Sequence, residues 1–198
     1  MLKVGITGGI GSGKTTVCQF FELLGIPVFY ADLVAKQAMQ EDEILIEAVK
    51  RVFGNESYLS GNILNRKYLA SRVFSDEKEL SRLNSLVHPA VFRAFDKWVG
   101  QQTSPYVLKE AALLFESGSY KDCNYTVLLK SPLELRIERV MQRDNIEKEE
   151  VLRRIAKQWP ETEKEKLADF FIDNDESQFV IPQILQLHQR FLSERNLE

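Results

Sequence analysis

Residues 5–16, GITGGIGSGKTT, hold five of the ten glycines of a 198-residue chain and end on a lysine and two threonines. Glycine loses more conformational freedom on folding than any other residue, so such a cluster is unfavourable unless bare backbone is itself required. The spacing Gly8-x-x-x-x-Gly13-Lys14-Thr15 falls between a predicted strand over 2–7 and a predicted helix over 14–24. In that helix Val17, Phe20, Phe21 and Leu24 recur at helical spacing before Gly25 and Pro27 stop it. Successive N–H groups can curl round an anion only where no Cβ intervenes, and a following helix directs its positive end at the same point. The loop therefore reads as a phosphate cradle built from Gly8, Gly9, Ile10, Gly11, Ser12 and Gly13, with Thr16 just inside the helix. Lys14 is expected to reach the β- and γ-phosphates of a nucleoside triphosphate, and the Thr15 hydroxyl to help hold Mg²⁺. A glycine-rich turn with no ligand would leave the lysine and the hydroxyl unexplained.

The net charge of −3 supplies no general positive field to draw the chain onto nucleic acid or an anionic membrane, so any anion site is local. No stretch approaches the ~20 apolar residues that span a bilayer, and the reading is a cytoplasmic protein. Cys18 and Cys123 lie far apart without CxxC spacing and read as reduced packing residues. Short apolar runs over 2–7, 27–30, 106–109, 125–130 and 170–172 alternate with helical patterns, the last over 178–192, which predicts α/β architecture with a mostly parallel five-stranded sheet. Between the second and third strands lie roughly seventy residues, too many for one crossover helix, and they read as an inserted helical substrate domain. Its expected parts are a helix near 33–53, a turn at Gly61-Asn62, a helix after Asn65-Arg66, and a longer helix with Val91, Ala94, Phe95 and Trp98 on one stripe.

Ligands collect beyond the carboxyl ends of parallel strands, which singles out Asp32 and Glu110. Either could hold a metal through water, and one could take a proton from an attacking hydroxyl; Asp32 also suits the N-cap of a helix beginning at Leu33. Asp173 also follows a strand, where a solvated turn is an equal reading. Neither Asn-Lys-x-Asp nor Asp-x-x-Gly occurs, which argues against a GTPase switch. A kinase needs an acceptor domain and a cover over the phosphates. The segment 132–159 offers the cover: Leu133, Ile137, Val140 and Met141 are expected to face inward, while Arg136, Arg139 and Arg143 share another face. Arg139 has no acid at helical spacing and has Arg143 at i+4, so an anion would relieve the pair, whereas Arg153 and Arg154 have Glu149 and Glu150 at i−4. A solvated charged face is the alternative. His88 precedes Pro89, so a bend is expected that presents the ring and Arg93 to one side; His188 reads as solvated.

Taken together, the stretches "GITGGIGSGKTT", "ADLVAK", "GNILNRKYLASRVF", "LNSLVHPAVFRAF", "LLFESG", "SPLELRIERVMQRD", "RRIAKQWP" and "LADFFIDN" resemble the dephospho-CoA kinases over nearly the whole chain. The resemblance implies a three-layer α/β/α P-loop NTPase core over 1–31, 101–131 and 160–198, a helical CoA-substrate-binding insertion over 32–100, and a small lid over 132–159. It implies ATP and Mg²⁺ as cofactors, dephospho-CoA as the partner substrate, and phosphorylation of its ribose 3′-hydroxyl, the last step of coenzyme A biosynthesis. By the same resemblance Gly11 to Thr16 contact ATP and Asp32 is the base or hydroxyl orienter. His88, Arg93 and Glu116 lie on the acceptor side, Arg139 and Arg143 in the lid over the phosphates, and Asn174 at the adenine. The chain departs from the family in having Glu110-Ala111-Ala112 where Asp-x-Pro is frequent, and Arg136 where glutamine is common. Two other readings stay open on the residues alone: a kinase of nucleosides or nucleoside monophosphates, and a nucleotide-dependent binding module.

Overall fold

The computed structural model of the chain describes residues 1–73 and 76–194. Its elements in chain order are β1 (Leu2–Gly8), α1 (Lys14–Leu23), β2 (Val28–Tyr30), α2 (Ala31–Glu41), α3 (Glu43–Phe53), β3 (Tyr58–Leu59), β4 (Ile63–Leu64), α4 (Arg66–Val73) and α5 (Glu77–Val99). There follow β5 (Tyr106–Glu110), β6 (Tyr125–Lys130), α6 (Leu133–Asp144), α7 (Lys148–Ile155), α8 (Glu161–Glu165), β7 (Phe170–Asp173) and α9 (Val180–Glu194). The chain divides into two compact units, one drawn from Met1–Tyr30 and from Gln102 onward, the other Ala31–Gln101.

The first unit is built on a five-stranded sheet of order β2-β5-β1-β6-β7. Every pairing in it is parallel, from Leu2 opposite Tyr106 through Val4 opposite Tyr125 to Val127 opposite Phe170. Both faces of its central strands are covered: Val4, Ile6, Tyr106, Val107, Leu108, Val127, Leu128 and Leu129 are buried, which is why 106–108 and 127–129 are continuous apolar runs instead of alternating. On one face α1 and α9 contribute Val17, Cys18, Phe21, Ile184 and Phe191 to the core around Val4 and Ile6. On the other, Leu114 and Cys123 close over Gly5 so tightly that a Cβ there would meet them at 2.8 and 3.0 Å. Both cysteines are free thiols. Burial pushes the Cys123 thiol up to about 11, and Cys18 higher still, so neither is a ready nucleophile. No helix among the described residues is long and apolar enough to cross a membrane.

The strands fall where the apolar runs predict, with instructive differences at their ends. Glu110 and Asp173 are the last residues of β5 and β7 and do not follow them. Asp32 does not cap a helix from Leu33, because α2 starts at Ala31, directly after β2, and places Asp32 in its first turn. The expected helix over 33–53 is two helices: Asp42 leaves the helical conformation and its Oδ1 accepts the Leu45 N–H at 2.9 Å, starting α3 afresh. The turn at Gly61-Asn62 joins β3 to β4, with Asn62 at φ 58°. No bend occurs at His88: α5 runs unbroken through Pro89. Pro89 and Ser85, whose carbonyl loses its helical donor to the proline, both sit on the exposed face, while Leu83, Val87, Ala90, Val91 and Phe95 hold the buried face together. Leu133 is 43% exposed and does not face inward; Arg136 is buried there instead. His188 is not simply solvated, since its Nδ1 shares a hydrogen bond of 2.8 Å with the Tyr106 hydroxyl.

Phe191 clamps this unit from α9, with its ring 5.4 Å from Tyr106, 6.0 Å from Tyr125 and 5.5 Å from Phe170. Phe191→Ala leaves a cavity among three rings, and urea unfolding should show a loss of about 3–5 kcal/mol in stability.

Candidate active site

The course of the loop between β1 and α1 is set by two left-handed residues, Gly11 at φ 79° and Gly13 at φ 96°. Side chains are strained in this conformation. The turn is closed by Ser12 N–H donating to the Gly9 carbonyl at 3.1 Å, and the helix then begins with Val17 N–H on the Gly13 carbonyl at 3.1 Å. No side chain caps α1 and no acidic residue stands in its first turn, so no carboxylate of the helix itself offsets its positive end. Lys14 folds back over the loop, with Nζ donating to the Gly8 carbonyl at 2.9 Å and the Gly9 carbonyl at 3.2 Å. Thr15 and Thr16 are exposed, whereas Ser12 is buried.

Two other segments hold the loop from outside. The backbone of Arg136 on α6 lies against Gly11, where a Cβ would collide with the Arg136 carbonyl oxygen, and the Arg136 guanidinium lies against Gly9. From the end of β7, Asn174 Nδ2 donates to the Ser12 carbonyl at 2.8 Å while its own N–H is held by the Lys130 carbonyl at 2.8 Å. Ile10, expected among the cradle residues, is turned away: its N–H donates to Gln158 Oε1 at 2.8 Å, and its side chain packs with Ile137, Val140 and Val151. The Ile10 N–H is thus committed within the protein.

Glu110 stands buried at the end of β5, in register with Ile6 on β1 and Tyr30 on β2. Burial first, then Cys18, Glu22 and Glu110, raises the Tyr30 hydroxyl pKa, so the phenol stays protonated. Glu116 is largely buried: Oε1 pairs with Lys164 Nζ at 2.8 Å, 1% exposed, and accepts the Trp159 N–H at 2.9 Å.

Arg139 and Arg143 on α6 both have acidic partners, and that of Arg139 lies outside its helical spacing. Arg139 reaches Glu176 Oε1 at 3.2 Å, with Nη1 donating to Ser131 Oγ at 3.2 Å and the Asn174 carbonyl at 3.4 Å. Arg143 forks its own neighbour, Nε to Asp144 Oδ1 at 2.7 Å and Nη2 to Oδ2 at 3.1 Å, and Arg154 joins Asp144 at 2.7 Å and Glu150 at 2.6 Å. The two guanidinium groups hold the Asp144 carboxyl below the usual carboxylate range. The guanidinium of Arg136 makes no hydrogen bond or ion pair among the described residues; the nearby Glu161 is pushed up by burial, an effect that Arg136 opposes.

Asp32, His88 and Arg93 belong to the second unit. Asp32 is exposed in the first turn of α2. His88 is half-buried with its ring 6.4 Å from Phe92. Arg93 Nη2 pairs with Asp42 Oδ2 at 2.7 Å. Asp42 is held below the usual carboxylate range because the Leu45 N–H and Arg93 outweigh the opposing effect of burial.

A sequence model of the dephospho-CoA kinase family matches residues 2–179. The dephospho-CoA kinase of Chlorobium chlorochromatii is 38% identical over 204 residues, covering 99% of this chain and 96% of its own. Among solved structures, a Thermus thermophilus protein is similar with a TM-score of 0.81 at 37% identity, over 98% of this chain and 97% of that one. The dephospho-CoA kinase from Campylobacter jejuni has a TM-score of 0.68 at 26% identity, over 97% and 98% of the two chains. A glycine loop with left-handed turns at the end of a central parallel strand, on a chain matched along nearly its whole length, leads to one assignment: the chain belongs to the dephospho-CoA kinase family.

Proposed function

We propose that the chain transfers the γ-phosphoryl group of ATP to the ribose 3′-hydroxyl of dephospho-CoA, releasing CoA and ADP. The observation that carries this reading is the uncapped N-terminus of α1 behind left-handed Gly11 and Gly13, on a chain of this family. Residues Gly11 to Thr16 bind the β-phosphate region, and the Lys14 ammonium exchanges the Gly8 and Gly9 carbonyls for phosphate oxygens. Arg139 and Arg143 exchange Glu176 and Asp144 for the triphosphate, trading one charge-assisted contact for another. Asn174 keeps Nδ2 on the Ser12 carbonyl and turns its oxygen toward the adenine. In the acceptor's reaction the 3′-oxygen forms a bond to Pγ, the bond from Pγ to the β–γ bridging oxygen breaks with ADP leaving, and Asp32 receives the hydroxyl proton. His88 and Arg93 hold acceptor groups, Arg93 by giving up Asp42, while Glu116 serves the acceptor side through the segment it anchors at Trp159.

Mg²⁺ would supply charge neutralisation of the β- and γ-oxygens. No group of three or more His, Cys, Asp or Glu among the described residues forms a metal cluster, which fits an ion carried mainly by phosphate and water. The exposed Thr15 hydroxyl at the start of α1 would be its direct ligand, with Asp32 and Glu110 as carboxylates that orient bound water.

Three outcomes test this reading. Purified chain given ATP, Mg²⁺ and dephospho-CoA should yield CoA and ADP in equal amounts by chromatography; ADP without CoA, or phosphorylated nucleosides or nucleoside monophosphates in its place, contradicts the assignment. Asp32→Asn should lower kcat by about 10²–10⁴-fold with the calorimetric affinity for ATP nearly unchanged. Gly11→Ala combines a positive φ with a Cβ driven against the Arg136 carbonyl, so ATP affinity should fall by about tenfold or more while circular dichroism stays native.

A further inference from the structure

Gln158 follows the end of α7 and joins two segments remote from it in sequence. Its Oε1 accepts the Ile10 N–H at 2.8 Å and its Nε2 donates to the Ala112 carbonyl at 3.2 Å. Ile10 is where the glycine loop is gripped from both sides, by this bond at its backbone and by Ile137, Val140 and Val151 around its side chain. Ala112 lies on the turn that leaves β5 just after Glu110. The segment bearing Gln158 is anchored without the help of this side chain: Gln158 N–H bonds the Ile155 carbonyl at 2.9 Å, and the Trp159 N–H bonds Glu116, itself fixed by buried Lys164. The side-chain amide therefore acts outward, from an anchored segment onto the more freely jointed loop.

We propose that Gln158 is a positioning residue for phosphoryl transfer, which fixes the Ile10 peptide and thereby the path of the phosphate-binding N–H groups relative to the β5 end that carries Glu110. This rests on the kinase reading above. Glycines that are not ordered beforehand must be ordered when the triphosphate arrives, and that entropy is subtracted from binding and from alignment of the γ-phosphate. The bridge needs an acceptor on one side and a donor on the other, which a primary amide supplies at once. An ionised carboxylate in its place accepts from Ile10 but meets the Ala112 oxygen with no hydrogen, whereas a protonated carboxyl restores both bonds.

The test compares the full chain with Gln158→Met and Gln158→Glu, using steady-state kinetics with ATP and dephospho-CoA across pH and calorimetry with ATP. Gln158→Met keeps the volume and loses both bonds, and kcat/KM for ATP should fall by about tenfold while KM for dephospho-CoA stays within about twofold. Gln158→Glu should be as impaired at about pH 8 and should recover, relative to the wild-type chain at the same pH, toward about pH 5 as the carboxyl takes up its proton. Wild-type kcat/KM for ATP in Gln158→Met, a loss shared equally by both substrates, or Gln158→Glu following Gln158→Met at every pH would each overturn the proposal. Calorimetry separates this idea from the kinase assignment: if the wild-type chain binds ATP yet leaves dephospho-CoA untouched, a weakened ATP affinity in Gln158→Met still supports the positioning role, and an unchanged one removes it.

Discussion

A stretch of chain with almost no side chains has to hold one shape, and its neighbours hold it. Arg136 presses its backbone against Gly11 and its guanidinium against Gly9, Asn174 ties the Ser12 carbonyl, and Gln158 takes the Ile10 N–H. Each of these comes from a different element, all reaching the same loop. The bare backbone that lets N–H groups converge on an anion also removes the packing that would keep them converged. Rigidity is therefore supplied from outside, by α6, by the chain after α7 and by the end of β7.

The cations assigned to phosphate in the proposed reaction are already paired within the protein. Arg139, Arg143 and Lys14 each rest on oxygen acceptors of the protein, and in the proposed reaction each trades them for phosphate. The acids concerned are partly or largely open to water, Glu176 at 67% and Asp144 at 25%, so releasing them is inexpensive compared with breaking a buried pair such as Glu116 with Lys164. Exposure thus divides the ion pairs into those suited to exchange and those suited to anchoring.

Local spacing made the glycine loop between β1 and α1, the five strands and the long inserted segment legible, because apolar periodicity and the order strand, glycine loop, helix are properties of short windows. What it missed depended on contacts far apart in the chain. Arg139 looked unpaired since its acid, Glu176, is 37 residues away, and Gln158 carried no signal because its partner Ile10 is 148 residues distant. Helical angles gave the relative positions of Arg136 and Leu133 but not which one the neighbouring loop would cover. The apolar period runs on through Asp42, so only its capping geometry reveals two helices, and the conformational bias before Pro89 yielded to the buried stripe of α5. Ile10 belonged to the motif by position, yet its bulky side chain drew it out of the cradle into the α6 and α7 core.

The order of the sheet has a consequence for how the protein is made. Among the strands of the sheet the earliest in chain order, β1, lies at the centre, and its two neighbours begin only at Tyr106 and Tyr125. At ribosomal rates of about 5–20 residues per second, β1 waits on the order of ten seconds for a partner. The unit spanning Ala31–Gln101 emerges during that interval with its own helices and buried residues, so it can condense on the nascent chain before the nucleotide-binding sheet closes.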